Sequence, residues 1–215
     1  MWRLPLALLL VGSAVFVCAQ TKQPSAEQIA RRVDDHYNHL RSLRADFTEQ
    51  YTGMGMERDE SGTLLLARPG RMKWVYREPS GKYFLLDGRY AYFYAPGNEQ
   101  VQRMRASQLD DLRSPLRFLL GHTKIASELT SLSVTDSGAK YTLTGVPRGA
   151  AKRIASVALT VTENGTITAM LIREQDGSVT RFTLGGEEDD PALAPDTFRF
   201  VPPAGVPVSD ALPPA

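Results

Sequence analysis

Apolar residues recur every second position through much of this chain, and Gly, Pro, Asn and Asp clusters interrupt them at short intervals. The densest example runs from Ser61 to Val101. It predicts four consecutive β-strands: Thr63 to Arg68, Met72 to Arg77, Tyr83 to Leu86 and Tyr90 to Tyr94. Breaks fall at Pro69-Gly70, Pro79-Ser80-Gly81 and Asp87-Gly88, the last a two-residue hairpin signal. Before them, Ser25 with Gln28 three residues on forms a capping box. Ile29, Val33, Tyr37, Leu40 and Leu43 then follow at helical spacing. Ala45 to Thr52 reads as a first strand, and Gly53-Met54-Gly55-Met56 as a flexible connection.

After the central strands, Gln100 to Arg105 predicts a further strand. Ser114-Pro115 opens a short helix that Gly121 closes. Leu116, Phe118, Leu119 and Leu120 make that helix apolar on most sides, so it must be buried or lie over an apolar hollow. Ile125 to Leu132 has room for another helical turn. Sheet then resumes at Ser133 to Thr135, Lys140 to Thr144, Ile154 to Thr162, Thr166 to Arg173 and Ser178 to Leu184. Asn164-Gly165 and Asp176-Gly177 supply hairpin turns. Successive hairpins at this spacing predict an antiparallel meander. Glu187 to Asp190 reads as an acidic loop.

The first 19 residues have the pattern of an export signal: Arg3, an apolar run from Leu4 to Val17, and Val17-Cys18-Ala19 before Gln20. Cleavage near Ala19 leaves one β-rich domain over 20–206, with a flexible Pro/Ala-rich tail at 207–215. It also removes Cys18, the single cysteine, so the exported chain folds without a disulfide. Cys18 lacks the small preceding residue of a lipid-anchor signal. The whole chain has 25 Lys and Arg against 24 Asp and Glu; removing Arg3 leaves 24 of each, net zero. That balance argues against nucleic acid or an anionic membrane surface as a partner.

Catalytic and metal patterns are weak. His36 and His39 lie beside Asp34 and Asp35, but only His122 remains as a further histidine, and a solvated helix face explains them better. Ser137 and Lys140 have a serine–lysine hydrolase spacing, yet fall in a predicted hairpin instead of at a helix start. Gly53-Met54-Gly55 lacks the third glycine of a dinucleotide loop. No cofactor is expected. What stands out is apolar sheet. Met72, Trp74 and Tyr76 share one strand face, and Tyr90, Tyr92 and Tyr94 share another. Both faces read equally as core or as the lining of a ligand cavity. Arg68 also stands out: it ends an apolar strand, Pro69 holds it extended, and its five donors need acceptors if it points inward.

The order and spacing of several short motifs resemble the LolA family of periplasmic outer-membrane lipoprotein carriers. These are Ser42-Leu43-Arg44-Ala45-Asp46-Phe47-Thr48, Gly62-Thr63-Leu64, Arg68-Pro69, Trp74, Asp87-Gly88, Phe93-Tyr94-Ala95-Pro96, Glu99-Gln100, Ser114-Pro115-Leu116, Asp176-Gly177, and Phe198-Arg199-Phe200 through Val206. The resemblance implies a mainly β fold, an unclosed antiparallel β-barrel whose curved sheet carries an α-helical lid over a hydrophobic cavity. It implies acylated lipoproteins as cargo, an inner-membrane lipoprotein-releasing ABC transporter as donor and an outer-membrane lipoprotein receptor as acceptor. Arg68 then corresponds to the arginine that bonds lid carbonyls and latches the empty hollow. Leu64, Leu66, Met72, Trp74, Tyr76, Phe93, Leu116, Phe118, Leu119 and Leu120 become the cavity candidates. Met72 replaces a family aromatic. The expected working form is a monomeric, non-enzymatic carrier. The alternatives are an anchored receptor of the same fold, which needs a lipid-anchor cysteine, an envelope-stress sensor domain, which needs a second domain, and a hydrolase, which needs a site.

Overall fold

A computed structural model of the chain describes residues 23–107 and 124–210. It is built on a twelve-stranded sheet. Helix α1 (Ala26–His39) comes first, then β1 (Ser42–Gly53), β2 (Met56–Ala67), β3 (Arg71–Glu78), β4 (Tyr83–Leu86), β5 (Tyr90–Tyr94) and β6 (Val101–Arg105). A one-turn helix, α2 (Ile125–Glu128), leads into β7 (Leu129–Asp136), β8 (Lys140–Pro147), β9 (Ile154–Thr162), β10 (Ile167–Glu174) and β11 (Val179–Asp189), and β12 (Val208–Asp210) is last. The spatial order is β12-β6-β5-β4-β3-β2-β1-β11-β10-β9-β8-β7. Two antiparallel meanders are therefore joined where β1 pairs with β11, and the curved sheet does not close.

The start of α1 follows from its sequence. The Gln28 backbone N–H donates to Ser25 Oγ at 3.3 Å, and the Gln28 side chain accepts from the Ser25 N–H at 2.8 Å. Ile29, Ala30, Val33 and Tyr37 are buried. The helix ends earlier than the apolar stripe suggested. Leu40 is already extended and Leu43 belongs to β1.

The sheet carries apolar side chains on both faces, and each face has its own core. On the inner face Leu43, Phe47, Leu64, Leu66, Met72, Trp74 and Leu86 join α1 and residues of β8–β11 in one cluster. On the outer face Leu85, Tyr92, Val101 and Phe198 are buried together, with Leu65, Tyr90, Tyr94, Phe200 and Val206 packed around them. Alternation along β4 and β5 sends neighbouring residues to opposite cores. The Tyr90, Tyr92 and Tyr94 face therefore belongs to the outer core. The segment after β11 covers it, and Phe200 stacks on Tyr92 at 3.8 Å between ring centroids.

Three expectations are corrected. Glu187 to Asp190 is not a free loop. β11 continues through Asp189, because a register shift opposite Arg44 and Asp46 lets the strand carry on past Gly185 and Gly186. The tail is not wholly without structure: Val208–Asp210 pairs in parallel with β6, and Asp210 meets Arg103 at 2.7 Å. Those three residues lie between prolines but keep their own N–H groups, so they can cover an otherwise unpaired edge. The Gly53 to Met56 connection is a tight hairpin. Gly53 pairs with Met56, while Met54 and Gly55 both adopt positive φ, 48° and 74°.

Candidate functional site: a latched helix over an apolar sheet

Arg68 lies one residue beyond β2, next to the C-terminal end of α1. Its backbone N–H donates to the Arg41 carbonyl at 2.8 Å, which holds the chain in place. Its guanidinium donates to the carbonyl oxygens of Asn38, at 2.8 Å, and Tyr37. These carbonyls lie in the last turn of a helix, where no intrahelical donor remains for them. A cation there also complements the negative end of the helix dipole. One side chain from the sheet thus satisfies two orphan acceptors of the helix that covers it. A small pocket of about 10 Å³, bounded by Tyr37, Leu40, Leu66 and Arg68, lies beside this contact. That is room for about one water molecule.

A second tie sits on the same turn of α1. His36 Nε2 meets Glu187 Oε1 at 2.7 Å, and the Tyr37 hydroxyl donates to Glu187 Oε2 at 2.9 Å. That hydroxyl accepts in turn from the Ile167 N–H at 3.0 Å. The hydrogen bond to Glu187 pushes the His36 pKa up, and burial pushes that of Tyr37 up. His36 is thus not on a solvated face. It is partly buried because β11 continues far enough to bring Glu187 under the helix. Asp189 also carries an oxygen within 4.8 Å of the other two groups. Farther along, Asp34 accepts from the Ile125 N–H at 3.0 Å, and burial raises its pKa. His39 bonds the Asp35 carbonyl within its own helix and touches none of this.

Under the helix, the sheet presents the expected apolar residues. Leu64, Trp74, Met72 and Leu66 are buried against one another, and Trp74 Nε1 donates to Met72 Sδ at 2.9 Å. Phe47 stands edge-on to both Trp74 and Tyr76, at 4.5 and 5.1 Å. Tyr76 is only partly buried. Phe93 departs from expectation: it shares the inner face with Phe84 and Ala91 yet is 39 % exposed. It lies toward the far end of β5, where the inner face has turned polar. Leu116, Phe118, Leu119 and Leu120 lie outside the described residues.

That polar end was not anticipated. Glu49 and Glu60 are opposite each other on β1 and β2, on the same face as Phe47 and Leu64, and are 9 % and 4 % exposed. Lys82 Nζ contacts Glu60 at 2.5 Å, and Arg58 Nε contacts it at 3.0 Å. The Tyr76 hydroxyl donates to Glu49 at 3.4 Å, and Lys82 Nζ lies 4.2 Å from the Tyr76 ring centroid. Burial, then the neighbouring Glu60, raises the Glu49 pKa. Alternation along β1 and β2 does place these glutamates inward, which is the one signal the sequence offered. The order along the inner face is therefore the Arg68–α1 contact, an apolar stretch and a buried polar cluster.

The family model of the outer membrane lipoprotein carrier protein LolA matches residues 38–201. An outer-membrane lipoprotein carrier protein from Erwinia tasmaniensis is 31% identical over 199 residues, 92% of this chain and 93% of the relative. Another, from Pectobacterium carotovorum subsp. carotovorum, is 30% identical over 84% of this chain and 87% of its own length. Among solved structures, an uncharacterized conserved protein from Thermus thermophilus superposes with a TM-score of 0.55 at 10% identity, covering 86% of this chain and 99% of that one. This last likeness bears on the fold alone. The family match begins at Asn38, a carbonyl held by Arg68, and ends at Val201 beside the outer core: the chain belongs to the LolA family of outer membrane lipoprotein carrier proteins.

Proposed function

We propose that this protein is exported to the periplasm, takes up the acyl chains of lipoproteins released from the inner membrane by an ABC transporter, and hands them to an outer-membrane receptor. It works as a monomer, without catalysis. The observation that carries the reading is the Arg68 clasp on the carbonyls of Tyr37 and Asn38, directly over the apolar inner face.

A carrier must grip and also release. Burying acyl chain is worth ~0.8 kcal/mol per CH₂. About ten such groups give roughly 8 kcal/mol, enough for slow release without help. Here the trough is filled by its own side chains when the helix is latched, so cargo must displace a closed state. Reclosure buries Leu64, Trp74 and the α1 face again and restores the charge-assisted bonds of Arg68. Both contributions oppose loading and assist unloading.

The test is displacement of a hydrophobic dye. The empty protein binds N-phenylnaphthylamine, and a diacylated cysteine peptide competes it away. Dye that stays bound to folded protein at saturating acylated peptide contradicts the carrier reading.

A further inference from the structure

The two buried carboxylates among the described residues, Glu49 and Glu60, are at one end of the apolar trough. Glu60 is eight residues from Arg68 along β2, about 26 Å of extended strand, so the latch and the polar cluster occupy opposite ends. Two carboxylates directly opposite each other on one sheet face repel, and burying them is costly. A sheet face that needed only a packed core would have apolar residues there, as it does from Leu66 to Phe47. The cations that neutralise the pair are placed unequally. Lys82 is sunk in the wall, its Nζ between the rings of Tyr76 at 4.2 Å and Phe93 at 5.9 Å. Arg58 is half-exposed, so this end opens to solvent. The outcome is a charge-balanced patch with donors and acceptors, bordered by an exposed phenylalanine.

We propose that the Lys82–Glu60–Arg58–Glu49 cluster is a socket for the polar head of an acylated ligand, the ester and amide groups that join its hydrocarbon chains to the rest. This rests on the carrier reading above. Hydrocarbon lies against Trp74 and Leu64, and the carbonyl oxygens at its head accept from Lys82 and Arg58. An amide N–H at the same place donates to Glu49. Phe93 flanks the point where the ligand leaves the trough. The socket lets the protein distinguish an acylated peptide from bare hydrocarbon of the same length.

The experiment compares two probes on the folded, exported protein: a dipalmitoyl-glyceryl-cysteine peptide and N-phenylnaphthylamine. In Glu60→Gln/Lys82→Met, which leaves no unpaired buried carboxylate at position 60, peptide affinity should fall about tenfold while dye affinity changes by less than about twofold. Arg58→Gln, at a half-exposed position that the fold tolerates, should shift the peptide-to-dye ratio in the same direction. Equal changes for both probes would make the cluster a structural ion pair and overturn the proposal. An unchanged ratio in Arg58→Gln, should the double variant not fold, overturns it too. A wild-type protein that binds dye but never acylated peptide refutes the carrier reading itself, and is told apart by appearing before any substitution is made.

Discussion

Arg68 and His36 show how differently single residues announce themselves. Arg68 is legible because Pro69 follows it and an apolar strand precedes it, so an inward guanidinium poses a question that only acceptors answer. His36 gives no such sign. Its partner Glu187 is 151 positions away and sits in what reads as a loop. The pairing makes a pH prediction. The His36 pKa is raised above its ordinary 6.5 by the hydrogen bond to Glu187, with Asp189 adding to it and burial opposing. The folded state therefore holds this proton more tightly than the unfolded state. The stabilisation is complete below about pH 6.5 and disappears as pH rises through the raised folded value. Urea midpoints measured across that window should decline with pH in the wild type. They should decline less in His36→Gln, which can still hydrogen-bond Glu187 but carries no titrating proton. Identical slopes in both proteins would mean that the tie contributes nothing to pH dependence.

Secondary-structure elements were legible where alternation and turn chemistry agreed. β4, β5 and β9 match their expected bounds, each set off by Gly-containing turns. β2 begins seven residues earlier than expected, because Glu57 to Asp59 are exposed and charged and only pairing with β1 makes them a strand. The turn before it was missed because Met54 takes a positive φ that Asn or Asp fills more often. Gly62 carries an exacting local requirement. A Cβ there would strike the Val75 carbonyl oxygen and stand 2.8 Å from Phe47 Cε1, at the point where the β2–β3 register shifts. Backbone cannot yield as a flexible side chain does. Gly62→Ala should cost about 1–3 kcal/mol in chemical unfolding. A loss under about 0.5 kcal/mol, the scale of an ordinary surface change, would show that the bulge absorbs the methyl group.

Over the whole molecule, hairpin spacing indicated an antiparallel sheet, the resemblance to the LolA family implied its curvature and helical cover, and the structure has the unclosed curved sheet. The two-sided core was harder to see. Alternation says that Tyr92 and Trp74 belong to defined faces, but not that the segment from Leu193 to Val206 folds back over one of them. That choice depends on contacts distant in sequence. The proposed carrier function requires the inner side to exchange its own packing for a ligand; the outer core would then keep β3–β6 a wall on the other side, and Arg68 would set the balance between the two inner states. Losing bonds worth ~2 kcal/mol favours the open form by roughly 30-fold. The most direct measurement is a two-step transfer with wild type and Arg68→Leu: uptake of lipoprotein from inner-membrane vesicles, then delivery to outer-membrane vesicles. The variant should fold, load and retain its cargo but deliver it poorly, because closing no longer helps expel the acyl chains. Normal delivery by the folded variant would show that Arg68 does not latch the helix.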